Sequence, residues 1–206
     1  MRARRSPTEL ESIAARIRSA AGVEAVRAID VLCFIEKLVV LFPGLKLVRV
    51  PDPQLPYVQA EANSATNTIL IREGVYQKIR EWNPVARFIL IEELCHIALG
   101  HVGPRYRRDP SNAKIFSSSE QRDEREARQL AGLILAPTQF AKDCNSPETL
   151  AAEFVLGTRA SEIRWSEVQA LQRRAAGLKR ELPSGVVDFL TEKQKLGYIV
   201  TAIEDQ

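Results

Sequence analysis

At roughly 150 residues per domain, the 206-residue chain amounts to one domain with appendages or two small ones. Its 45% hydrophobic and 27% charged residues, with 10 Gly and 11 Pro, exclude disordered, collagenous and repeat proteins. The net charge of +3, from 29 basic and 26 acidic residues, gives no ground by itself for a nucleic-acid partner. No stretch approaches the roughly 18 apolar residues of a membrane span, and the basic start MRARRSPTELES lacks the apolar run of a signal peptide, so a cytoplasmic location and no membrane partner are expected.

In chain order, Ser6-Pro7-Thr8-Glu9 has capping-box spacing with proline at the first helical position, which predicts a helix to about Ala20. A second helix is expected from about Val23 to Leu41, with Ile29, Leu32, Cys33, Ile35, Val39 and Val40 on its apolar face, before Pro43-Gly44 stops it. Leu45–Val50, Tyr57–Glu61 and Thr68–Arg72 read as three short strands, expected to form an antiparallel meander. A short helix at about Val75–Trp82 leads to Asn83-Pro84, an N-cap followed by proline, and the next helix should run from Pro84 to Leu99 and end at Gly100. Pro104–Ser119 is polar and aperiodic and reads as an exposed loop. Helices follow from Ser119 or Glu120 to Ala136, from Pro147 to Leu156 and, after a turn at Gly157, from Ser161 to Ala176. The tail 184–206 is expected to hold a short strand or helix at GYIVTAI.

Cys33, Cys95 and Cys144 are odd in number and far apart, so they suggest neither a disulfide framework nor a thiolate zinc site and read as small buried apolar residues. The two histidines, His96 and His101, lie in one short segment, and any imidazole chemistry belongs there.

On the helix Pro84–Leu99, Glu92 interrupts an apolar stripe with Phe88, Cys95 and Leu99. His96 lies four residues on, about 40° around the helix, so the two side chains converge, with Glu93 beside them. Two ligands at i and i+4 with a carboxylate between follow the mechanical plan of the His-Glu-x-x-His metallopeptidase helix, with Glu92 in place of the first histidine. His101, five residues from His96, is about 140° away in helical phase and beyond Gly100, so it is expected to be a surface or outer residue and not a ligand. On the following helix Glu124 shares a small-residue face with Ala127, Ala131 and Leu135, whereas Glu126 points about 200° away. Glu124 is therefore the carboxylate expected to face the first helix, and Glu126 and Glu120 are expected to face solvent.

Residues 86–101, ARFILIEELCHIALGH, resemble the RFTLAHELGHLLLGH segment of the ImmA/IrrE metallo-endopeptidases. Residues 124–137, EREARQLAGLILAP, resemble that family's second motif, and LAAEFVLGTRASEIRWSEVQAL its C-terminal helical pair, so the resemblance covers roughly 60–176. It implies Glu93 as catalytic base and His96 and Glu124 as metal ligands, with Glu92 standing where the first ligand histidine belongs. It also implies an α+β, zincin-like minimal metallopeptidase fold, mostly helical, with a small three-stranded sheet against the motif helix. The expected organisation is a single domain 1–183 (N-terminal helices 1–44, sheet and motif helices 45–137, C-terminal helical pair 138–183) with a tail 184–206.

The cofactor implied is zinc or another divalent metal, the extra carboxylate favouring harder ions such as Mn²⁺. The activity implied is cleavage of a protein regulator such as a transcriptional repressor. The alternatives are an inactive member that binds a partner protein, with His96 donating to a carboxylate and no metal, and a DNA-binding regulator. The last would use the C-terminal helix pair, with Arg164, Arg173, Arg174, Lys179 and Arg180, as a helix-turn-helix; Glu162, Glu167 and Glu181 offset that charge, and packing against the core is the favoured role. Arg105, Arg107 and Arg108 read as a solvated charge run.

Overall fold

Side-chain caps start several helices of the computed structural model, which describes residues 5–101, 118–178 and 184–198. Ser6 accepts from the Glu9 amide while the Glu9 carboxylate accepts from the Ser6 amide, starting α1 (Pro7–Ala20), whose inward face carries Leu10, Ala14 and Arg18. The second helix, α2 (Val31–Leu41), begins eight residues later than expected. The Asp30 carboxylate accepts from the Leu32 and Cys33 amides, which sets the start there and leaves the apolar run from Val23 in turns. Its buried face is Val31, Phe34, Ile35 and Leu38, so of the six residues expected on the apolar face Cys33 and Val40 are instead exposed; Cys95 and Cys144 are buried.

The strands β1 (Lys46–Val50), β2 (Ala60–Asn63) and β3 (Thr68–Arg72) do not form a meander. Their order is β1-β3-β2, with β1 parallel to β3 from Lys46↔Thr68 to Val50↔Arg72, and β2 antiparallel to β3 from Ala60↔Ile71 to Asn63↔Thr68. The chain after β1 makes a 3₁₀ turn at Asp52–Gln54 and reaches the far side of β3 before turning back, so the first two strands never touch as neighbours. Ala60 and Ala62 face Ile71 and Ile69 across the β2–β3 ladder and form a buried surface on which α4 packs.

After α3 (Glu73–Arg80), the Asn83 side chain accepts from the amides of Val85 and Ala86 and starts α4 (Pro84–Ala98). Ten of its residues are buried on all sides, Glu92, Glu93 and His96 among them, because β2, β3, α3 and α5 (Ser118–Leu135) all pack against it. α5 also packs along α1. A four-residue helix, α6 (Thr138–Ala141), was not expected; α7 (Pro147–Phe154) and α8 (Thr158–Ala175) follow, with the turn between them made at Val155, φ +53°. The buried Arg164 guanidinium donates from Nε to the Ala136 carbonyl at 2.9 Å and from Nη2 to Thr138 Oγ1 at 2.6 Å.

The contacts divide the chain into two units, Met1–Trp165 and Ser166–Gln206. In the second, α9 (Ser184–Lys195) sets the Lys193 ammonium over the rings of Phe189 and Tyr198. The fold is α+β and mostly helical. The loop expected at Pro104–Ser119 lies outside the described residues save Ser118 and Ser119, which belong to α5; so do Lys179, Arg180 and all of GYIVTAI after Tyr198.

Candidate metal centre

Glu92 and His96 come from consecutive turns of α4, and Glu124 from the first half of α5 packed beside it. One ligand-capable atom from each lies within 4.8 Å of the other two. His96 Nε2 is 3.5 Å from Glu124 Oε1, near the roughly 3.4 Å edge of a tetrahedron built on metal–ligand bonds of about 2.0–2.1 Å. The donor set, one imidazole nitrogen with two carboxylates, suits a divalent cation of borderline or hard character. Glu93, on the same turn, is 3% exposed. Burial, reinforced by the charges of Glu92 and Glu93, pushes the Cys95 thiol well above its ordinary range, so it stays protonated and chemically quiet.

Glu124 comes beside α4, with its Oε1 3.5 Å from His96 Nε2. Glu126 does not, however, face solvent as expected. It is 7% exposed, accepting from the Arg5 amide at Oε1 and from Arg5 Nη1 at Oε2, both at 3.0 Å. Arg5 Nη2 also donates to the Leu99 carbonyl, tying the start of the described chain to the end of α4. Glu120 is exposed, as expected.

His101 departs from the surface reading. It is buried, and its Nδ1 is 3.0 Å from His96 Nδ1. Helical phase fails here because α4 ends in a Schellman turn: the Gly100 amide donates to the Ile97 carbonyl, the His101 amide donates to the His96 carbonyl, and Gly100 takes φ +63°. That geometry folds the second residue past the cap back over the helix's last turn, onto His96. The far side of the His101 ring, Nε2, lies 3.6 Å from Glu126 Oε2 and 3.7 Å from Asp123 Oδ1. A His96 proton on Nδ1, donated to His101, would leave the Nε2 lone pair on the Glu124 side, the tautomer a metal ligand needs; the opposite tautomer would donate from Nε2 toward Glu124.

Arg128 is a member of the site that the sequence reading missed. It stands one turn after Glu124 on α5, and its guanidinium donates from Nε to Glu92 Oε1 at 2.9 Å and from Nη2 to Glu124 Oε2 at 3.1 Å. The Arg128 side chain is 52% exposed, whereas that of Glu92 is 3% exposed. The favourable Glu-to-Arg i, i+4 spacing was legible; that the same guanidinium spans two helices was not.

No family model matches the sequence, and no curated protein matches it. Among solved structures the chain is similar to a Mycobacterium tuberculosis transcriptional regulator, at 14% sequence identity and a TM-score of 0.44, over 74% of this chain and 45% of that one. This chain thus corresponds to less than half of that regulator's length, and likeness at this level bears on neither activity nor partner. Among the described residues, no helix is long and apolar enough to cross a membrane.

Proposed function

We propose that the chain is a divalent-metal-dependent endopeptidase of the ImmA/IrrE type, acting on a protein regulator such as a transcriptional repressor. The observation that carries this reading is the convergence of His96 with the carboxylates of Glu92 and Glu124 on two packed helices. The resemblance of residues 86–101 and 124–137 to the family's two motifs supplies the reaction class. His96 would offer Nε2, with His101 placed to accept a proton from its Nδ1, and Glu124 and Glu92 would offer one carboxylate oxygen each. A divalent ion, when bound, supplies Lewis acidity toward a peptide carbonyl and a water acidified toward neutral pH. Glu93, buried beside Glu92, would accept the water's proton on a carboxylate oxygen and pass it to the leaving amine.

The test is elemental analysis of protein equilibrated with Zn²⁺ or Mn²⁺, together with cleavage of a peptide library read by mass spectrometry. Wild type is expected to hold one ion per chain, His96→Ala to lose it, and Glu93→Gln to keep it while cleaving about a hundredfold or more slowly. Wild type that takes up neither ion, or Glu93→Gln protein that cleaves at the wild-type rate, overturns the proposal.

A second reading, an inactive chain that binds a partner protein, is favoured by one observation: the Arg128 guanidinium already donates to one oxygen each of Glu92 and Glu124. The DNA-binding reading is weakened because Arg164 is spent on the Ala136 carbonyl and Thr138.

A further inference from the structure

We propose that Arg128 is a built-in counter-cation of this site: it offsets one of the two negative charges of the Glu92–Glu124 pair in the metal-free protein and sets how tightly a divalent ion binds. The inference rests on the proposed metal site but assigns a role that neither motif contains. Three observations carry it. The guanidinium touches one oxygen of each carboxylate, so a single +1 group serves two anions on different helices. Glu92 is nearly fully buried, and a buried carboxylate needs a partner. Arg128 is half exposed, so its head group can swing into water without unpacking the core.

The charges explain why such a residue is wanted. A histidine at position 92 would be neutral, whereas Glu92 adds a negative charge that must be balanced while no ion is present. Glu92 and Arg128 together restore the neutrality of an imidazole. When a dication approaches, the same guanidinium repels it and competes for Glu92 Oε1. Arg128 therefore weakens metal binding, and the weakening is largest for hard ions, whose affinity depends most on anionic oxygen.

Binding of Zn²⁺ and Mn²⁺ is measured by titration calorimetry on wild type, Arg128→Ala and Arg128→Lys, alongside thermal unfolding of each metal-free protein. Each charge-assisted hydrogen bond to a carboxylate is worth about a tenfold change in an equilibrium constant or more, so Arg128→Ala is expected to bind at least about tenfold more tightly, with the larger gain for Mn²⁺. Metal-free Arg128→Ala is expected to unfold at lower temperature than wild type, and saturating Mn²⁺ to reverse the order. Arg128→Lys, which keeps the charge but not the fork, should fall between.

Equal or weaker binding by Arg128→Ala overturns the inference. If both proteins bind one ion equally well, the inference fails while the metal reading stands; if neither binds, both fail. Wild type that binds no ion while Arg128→Ala binds one supports the inference and overturns the proposed activity.

Discussion

Two arginines with the same burial are expected to respond in opposite directions to the same substitution. Arg18 is 2% exposed and Arg87 is 1% exposed, and burial lowers both guanidinium groups to about 10, opposed by the charges of Glu24 and Asp30 respectively. Against the ordinary arginine value, that displacement corresponds to roughly 3 kcal/mol of desolvation that an apolar replacement would relieve. What each guanidinium gains in return differs. Arg18 donates from Nη1 to the Ile134 carbonyl at 2.6 Å and from Nη2 to the carbonyls of Val23, at 2.7 Å, and Val26, fastening α1 to the end of the helix that carries Glu124. At about 2 kcal/mol per charge-assisted bond these contribute roughly 6 kcal/mol, so Arg18→Met is expected to destabilise the protein by about 3 kcal/mol.

Arg87 instead lies over the Trp82 ring at 4.5 Å, and where Arg18 leaves only Nε without a hydrogen-bond partner among the described residues, Arg87 leaves both Nε and Nη2. A desolvated cation–π contact is worth about 2 kcal/mol, less than the relief, so Arg87→Met is expected to stabilise by about 1 kcal/mol. Urea unfolding of the two variants and wild type, at constant slope, measures both values. If Arg87→Met loses as much stability as Arg18→Met, hydrogen bonds are not what separates the two residues and the reasoning fails.

Two further predictions concern single residues. Glu61 on β2 has its carboxyl raised by burial, so its folded value exceeds its unfolded one; this penalises the native state at neutral pH and vanishes as pH falls below the unfolded value. Glu61→Gln should thus be more stable than wild type at pH 7, with a gap that closes on acidification; a pH-independent gap in chemical unfolding would refute this. His101→Ala removes the Nδ1 contact that orients His96 and should weaken zinc binding about 10- to 100-fold in calorimetry, whereas unchanged affinity would show that the contact does not orient the ligand.

What was legible in the sequence was chemistry confined to a few neighbouring residues. The Ser6–Glu9 box and Asn83-Pro84 each start a helix where the spacing predicts, because a cap is satisfied within three residues. Glu92, His96 and Glu124 converge because helical phase holds inside regular helices. The same phase argument broke at His101, where a Schellman turn replaces rotation by a fold-back. It misplaced Glu126, since Arg5, more than a hundred residues earlier, covers that side and His101 folds back toward it. The strand order escaped for a related reason: local alternation identifies strands but carries no information on which of two neighbours a third will lie between.

That third strand has a consequence for how the protein is made. Every inter-strand hydrogen bond of the sheet involves β3, so the ribosome releases β1 and β2 as lone segments and neither ladder can close until Thr68–Arg72 has emerged. Both ladders then become available together, and α3 and α4 follow on the chain directly behind them. The helix bearing Glu92 and His96 is thus synthesised close behind the strands on which it packs.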